Sequence, residues 1–143
     1  MIKKILIPVD GSESADKACS YGLEIASGVG AEVVFLYVSN INQLAINACL
    51  TEALMKAVEE AGTEIINRAV SLAPEGVKVE GVTVSGSPAV VIIEQAEALK
   101  ADMIVMGSRG LGMFKGALLG SVSQYVVEQA NCPVVVVKGE AEK

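Results

Sequence analysis

The chain has no histidine among its 143 residues, and only 3% of them are aromatic. Its three cysteines, Cys19, Cys49 and Cys132, are odd in number and far apart, with no Cys-x-x-Cys pair. These absences exclude a structural zinc site built on His and Cys ligands. They leave buried, reduced thiols, as expected of a cytoplasmic protein. No apolar run approaches the roughly 18–20 residues that a membrane-spanning helix requires. The opening residues Met1–Asp10 do not read as a secretory signal, because Pro8 and Asp10 stop the apolar run too early. Positive charge is also short: the net charge is −6 and the pI is near 4.7. That argues against nucleic acid as a partner, since non-specific binding needs a positive footprint.

What is present is aliphatic. Apolar residues make up 52% of the chain and the mean hydropathy is +0.51. With so few aromatics, the core must be Val, Ile, Leu and Ala. Such a core suits strands buried on both faces, as in a parallel sheet covered by helices. The length is that of one domain with a single core, spanning 1–143.

Five short apolar runs read as strands: Ile5–Val9, Val33–Val38, Val77–Val84, Ala101–Met106 and Val134–Val137. The third has a slip in its alternation at Gly81 that reads as a bulge. Helical patterns lie between them. Ser12 caps the first, Ala15, Ala18, Gly22, Ile25 and Ala26 recur along it, and Gly28 and Gly30 close it. The second runs to Ala73 with Met55, Val58, Gly62, Ile65, Ile66, Ala69 and Leu72 on one face. Whether Leu44–Leu50 joins it is open. The third starts at Ser87-Pro88, with Val90, Val91, Ile93 and Ala96 inward. The fourth, capped by Gly120 or Ser121, carries Val122, Tyr125, Val126 and Ala130.

The order β-α-β-α-β-α-β-α-β predicts an α/β fold: an open, five-stranded, doubly wound parallel sheet with helices on both faces. The topological switch then lies between strands one and four. That is where such sheets bind ligands. The residues there are Pro8-Val9-Asp10 and Met106-Gly107. After Met106 comes Gly107-Ser108-Arg109-Gly110, then nine residues, then Gly120-Ser121 ahead of a helix. Glycines let a backbone approach an anion, and helix N-terminal N–H groups point at it. Two other phosphate loops fail: no Gly-Lys-Ser/Thr follows a glycine at Walker spacing, and the Gly-x-Gly-x-x-Gly spacing is broken at Gly116. Asp10 reads either as a cap for the turn before Ser12 or as a ligand group. A carboxylate beside phosphates would call for magnesium or manganese between them. Arg109 and, more weakly, Lys115 read equally as phosphate partners or as solvated loop cations.

Turnover is less favoured than binding. Phosphoryl transfer needs a positioned water or acceptor and charge stabilisation at the γ-phosphate. There is no histidine and no second carboxylate near the glycine loop in sequence. Ser12, Ser14, Ser121 and Ser123 are hydroxyls that could accept a phosphoryl group, and nothing selects among them. Val134–Val137 is an apolar edge strand, which invites pairing.

The spacing Gly-x2-Gly-x9-Gly-Ser resembles the nucleotide-binding signature of the universal stress protein family, in its ATP-binding branch. The resemblance extends over Ile5–Ser12, Val33–Val38, Gly86-Ser87-Pro88, Met106–Gly110, Gly120–Ser123 and Cys132–Val137. It implies a Rossmann-like sheet of order 3-2-1-4-5, akin to the adenine nucleotide α-hydrolases. It implies ATP, or another adenine nucleotide, with Pro8, Val9 and Val38 around the base. Met106, Gly107 and Gly110 would approach ribose and the first phosphate. Gly120, Ser121, Val122 and Ser123 would hold phosphates through N–H and hydroxyl donors. It further implies a homodimer through Val134–Val137 and a regulatory role toward a protein partner; the glycines of Ser108–Leu119 would let that loop order on binding as a lid. A slow ATPase or autophosphorylating enzyme using the same pocket is the alternative. A flavin or adenylate-transferring module is a third class, although 143 residues leave little room for an extra substrate domain.

Overall fold

The computed structural model describes residues 1–40, 52–108 and 119–139. The elements in chain order are β1 (Lys4–Pro8), α1 (Glu13–Val29), β2 (Glu32–Ser39), α2 (Glu52–Ser71), β3 (Val79–Ser85), α3 (Pro88–Ala98), β4 (Met103–Gly107), α4 (Ser121–Gln129) and β5 (Val134–Val137). The strands form one sheet of order β3-β2-β1-β4-β5. Every pairing is parallel. This is the expected doubly wound α/β fold.

The sheet separates two apolar layers, and strand alternation assigns residues to them. Ile5, Ile7, Phe35 and Val105 join Ala18, Leu23 and Ala26 of α1 and Ala69 of α2 on one side. Leu6, Leu36 and Ile104 join Val91, Ile92 and Ala96 of α3 and Val126 of α4 on the other. Because both faces are covered, the central strands show continuous apolar runs rather than alternation. Helix α1 lies so close to the sheet that a β-carbon on Gly22 would collide with Ile7.

Several local expectations are corrected. The ladder between β2 and β3 runs unbroken from Val33↔Val79 to Ser39↔Ser85, with Gly81 opposite Phe35, so there is no bulge. Gly81 is instead required by packing, since Ile66 of α2 fills the space of its missing side chain. Gly28 lies inside α1; only Gly30 ends it, at φ 75° in the left-handed region, with its N–H donating to Ala26 O. In α3, Ile92 faces inward and Val90 is exposed. Helix α2 ends at Ser71 rather than Ala73, and the outer members of its expected stripe, Met55 and Leu72, are exposed as well, as is Tyr125 of α4. Periodicity locates a stripe but not its width, which depends on how far the sheet extends beneath the helix. Leu44–Leu50 lies outside the described residues. Among those described, no helix is long and apolar enough to cross a membrane.

Candidate functional site

The cleft at the sheet's switch point begins with a proline. Val9 N–H donates to Leu36 O across to β2, 2.8 Å away. By alternation, the nitrogen of residue 8 faces β4. Proline there costs β2 nothing but offers β4 no donor. The β1–β4 register is confined to Ile5↔Met103 and Leu6↔Ile104, so the strands part beyond it. The cavity that opens measures about 420 Å³ and is lined from β1, β2, β4 and the first turns of α3 and α4. That size is within the range of small-molecule sites.

Ten of the sequence-derived site residues line this one cavity: Pro8, Val9, Asp10, Val38, Met106, Gly107, Gly120, Ser121, Val122 and Ser123. Arg109 and Gly110 lie outside the described residues, as do Lys115 and most of the anticipated lid. Ser12, expected only as a cap or a phosphoryl acceptor, lines the cavity too, and residues that sequence reasoning missed are Ala15, Leu36, Tyr37, Asn40, Pro88 and Ile92. A usable signal existed for Pro88: the Gly86-Ser87-Pro88 helix start follows a strand, and every strand of a parallel sheet ends on the same side. Tyr37 had none, because its place depends on Gly62 of α2. A β-carbon on Gly62 would come within 2.6 Å of the Tyr37 ring.

The polar groups of the cavity have defined tasks. Asp10 Oδ1 accepts the Ser12 N–H at 2.9 Å, which realises the turn-capping role. Ser12 in turn caps α1, with its Oγ accepting Ala15 N–H at 3.3 Å. Gly120 is the N-cap of α4. Its carbonyl accepts the Gln124 N–H at 2.9 Å. The N–H groups of Ser121, Val122 and Ser123 therefore occupy the first helical turn, where no intrahelical acceptor exists. The Ser121 side chain is exposed. Ser123 differs: it is 2% exposed, and its hydroxyl donates to Ser108 O (2.6 Å) and Gly120 O (3.1 Å).

Asp10 is the one charged side chain among the described lining residues. No group of three His, Cys, Asp or Glu able to hold a metal exists among the described residues. A cation here would thus draw most of its ligands from a bound phosphate, with Asp10 offering one carboxylate. Gly107 also gains a second explanation. Backbone atoms of Ser14 and Ala15 stand 2.7 Å from where its β-carbon would be, so strand–helix packing alone requires glycine.

A second hollow of about 430 Å³ lies at the opposite end of the strands, lined by Lys3, Glu32, Glu75 and Lys78 among others. Glu32 is ion-paired there with Lys4 (3.3 Å) and Lys78 (3.8 Å). It faces the C-terminal end of α1, whose carbonyl dipoles repel anions. The switch-point cleft is the better anion site.

Comparison with known proteins agrees with this fold. The universal stress protein family model matches residues 1–138. The chain belongs to the universal stress protein family. Universal stress protein MJ0531 of Methanocaldococcus jannaschii is 38% identical to it over 141 residues, covering 96% of this chain and 83% of that one. A universal stress protein of Thermus aquaticus is 36% identical, covering 96% and 100%. Among solved structures, that of MJ0577, also from Methanocaldococcus jannaschii, superposes with a TM-score of 0.85 at 35% identity, covering 99% of each chain. A universal stress protein family member from Arabidopsis thaliana, solved with AMP bound, shares the fold at 24% identity and a TM-score of 0.74, covering 97% and 93%.

Proposed function

We propose that this universal stress protein binds ATP in the switch-point cleft and acts as a nucleotide-dependent regulator in the cytoplasm. The observation that carries this reading is the division of the cavity. Its strand-end side is apolar, with Pro8, Val9, Leu36, Val38 and Met106, and accepts a flat base. Its other side is the N-terminus of α4, preceded by Gly120, and supplies N–H groups for phosphates. Adenine beside Val38, ribose near Met106 and Gly107, and phosphates at Gly120–Ser123 match that division. Arg109 and Gly110 complete the proposed set, and Asp10 would offer its carboxylate to a magnesium or manganese ion that offsets the phosphate charge.

With no second carboxylate in the described lining, the site favours retention of ATP over hydrolysis. The test is direct. Freshly purified protein is denatured and the supernatant is chromatographed. The expected result is about one adenine nucleotide per chain, or stoichiometric uptake of added ATP with magnesium. A preparation that is empty and takes up no nucleotide refutes the assignment, and steady release of ADP and phosphate establishes the slow ATPase in its place.

We further infer a homodimer through β5. It is an edge strand. Pro133 O and Val137 O bond to β4 through Ile104 N and Ser108 N, so by alternation the polar groups of Val136 point outward. Val136→Pro removes an outward N–H while sparing the β4 ladder. A dimer in sedimentation that Val136→Pro converts to monomer supports this pairing; a monomeric wild type overturns it.

A further inference from the structure

The resemblance places Ser123 among the phosphate-holding donors, but its hydroxyl has a different task. We infer that Ser123 is a positioning residue: its hydroxyl locks the first turn of α4 against the end of β4 before any ligand arrives. Its Oγ stands 2.6 Å from Ser108 O and 3.1 Å from Gly120 O. Ser123 lines the cavity, yet it is 2% exposed, and its hydroxyl is turned to these two carbonyls. Its single proton is shared between two carbonyls, leaving no donor for a phosphate.

The lock has a second strand. Gly120 N–H donates to the same Ser108 O at 2.7 Å. Ser108 is itself fixed, since its N–H donates to Val137 O at 2.8 Å and it is 1% exposed. One carbonyl at the end of β4 therefore receives two donors from the start of α4. This joins Gly107 and Gly120, two walls of the cavity, at a set distance. Preorganised N–H donors bind a charge more tightly than donors that must be ordered on binding.

The consequence for the ligand rests on the nucleotide reading above, but the lock itself does not. Two variants and two readouts separate them. The first readout is amide hydrogen exchange at Gly120 in nucleotide-free protein. Ser123→Ala is expected to speed it about tenfold, the effect of losing one buried hydrogen bond. Ser121→Ala, altering only an exposed hydroxyl, is expected to leave it unchanged. The second readout is the ratio of affinities for ATP and adenosine. Ser123→Ala should raise the Kd for ATP about five- to tenfold and leave that for adenosine within about twofold. A residue that merely stabilises the fold would weaken both or neither.

Unchanged Gly120 exchange in Ser123→Ala overturns the inference, and so does equal acceleration in Ser121→Ala. Equal weakening of ATP and adenosine overturns the positioning role. If wild type binds neither compound, the nucleotide reading fails, and faster Gly120 exchange in Ser123→Ala still establishes the lock.

Discussion

Replacing Gly107 by alanine asks whether this glycine serves a ligand or the fold. In the nucleotide-free protein, a β-carbon at position 107 would sit 2.7 Å from both the Ala15 nitrogen and the Ser14 carbonyl carbon, and closer still to Ser14 Oγ. Comfortable heavy-atom packing begins near 3.5 Å, so α1 must retreat by roughly 0.8 Å. The obstacle is backbone, which cannot rotate away. That backbone also holds the helix cap, where Ser12 Oγ receives the Ala15 N–H. Overpacking costs about 1–3 kcal/mol, and a strained N-cap adds up to about 1 kcal/mol. The methyl group returns about 0.5–1 kcal/mol by restricting the unfolded chain. The net loss is about 2 kcal/mol, or about 4–8 °C in Tm for a chain of this size. Thermal unfolding of the empty protein by circular dichroism measures it. A Tm within about 1 °C of wild type would refute the packing argument and leave ligand approach as the reason for the glycine.

Gly28→Ala should do the opposite, because position 28 is inside α1 and nothing lies within 4 Å of its β-carbon; helix propensity gives about 0.5–1 kcal/mol, read as a higher urea midpoint. Burial first, and the Asp16 charge second, push the Cys19 thiol up from 9.0 to about 12. Because the folded value is the raised one, this thiol's contribution is full below 9.0 and falls as pH rises toward about 12. Cys19→Ala should therefore flatten the alkaline decline of the urea midpoint over that window, and an unaltered decline would refute the assignment. Asp102 Oδ2 accepts the N–H groups of Lys3 (2.9 Å) and Lys4 (3.0 Å), which hold its carboxyl below the ordinary range. A lowered folded value means stability that is present above about pH 4 and lost as pH falls through the folded value. Asp102→Asn should shrink the acid-side loss of stability measured between neutral pH and pH below about 4.

The site was legible to the extent that a parallel sheet makes it so. Once the strands at Ile5, Val33, Val79, Ile104 and Val134 are recognised, their C-terminal ends must share an edge, and the switch point picks out Pro8–Asp10 and Met106–Gly107. The glycine and serine pattern at 120–121 adds the helix N-terminus. Ile92 escaped because an apolar helix residue looks the same whether it faces a cavity or a core, and Tyr37 because Gly62 of α2 makes the room for its ring.

What the order of residues determined by itself was the alternation of elements, the two-sided burial of the central strands, the cap at Ser12, the start at Pro88 and the family. These depend on local propensity and on apolar runs that neighbours in the chain set. Tertiary structure alone decided the tasks of the glycines and of the buried serine. Gly81 faces Ile66, Gly62 faces Tyr37 and Gly107 faces Ser14, and Ser123 reaches back to Ser108. A missing side chain or a single hydroxyl acquires its purpose only from what folding brings against it.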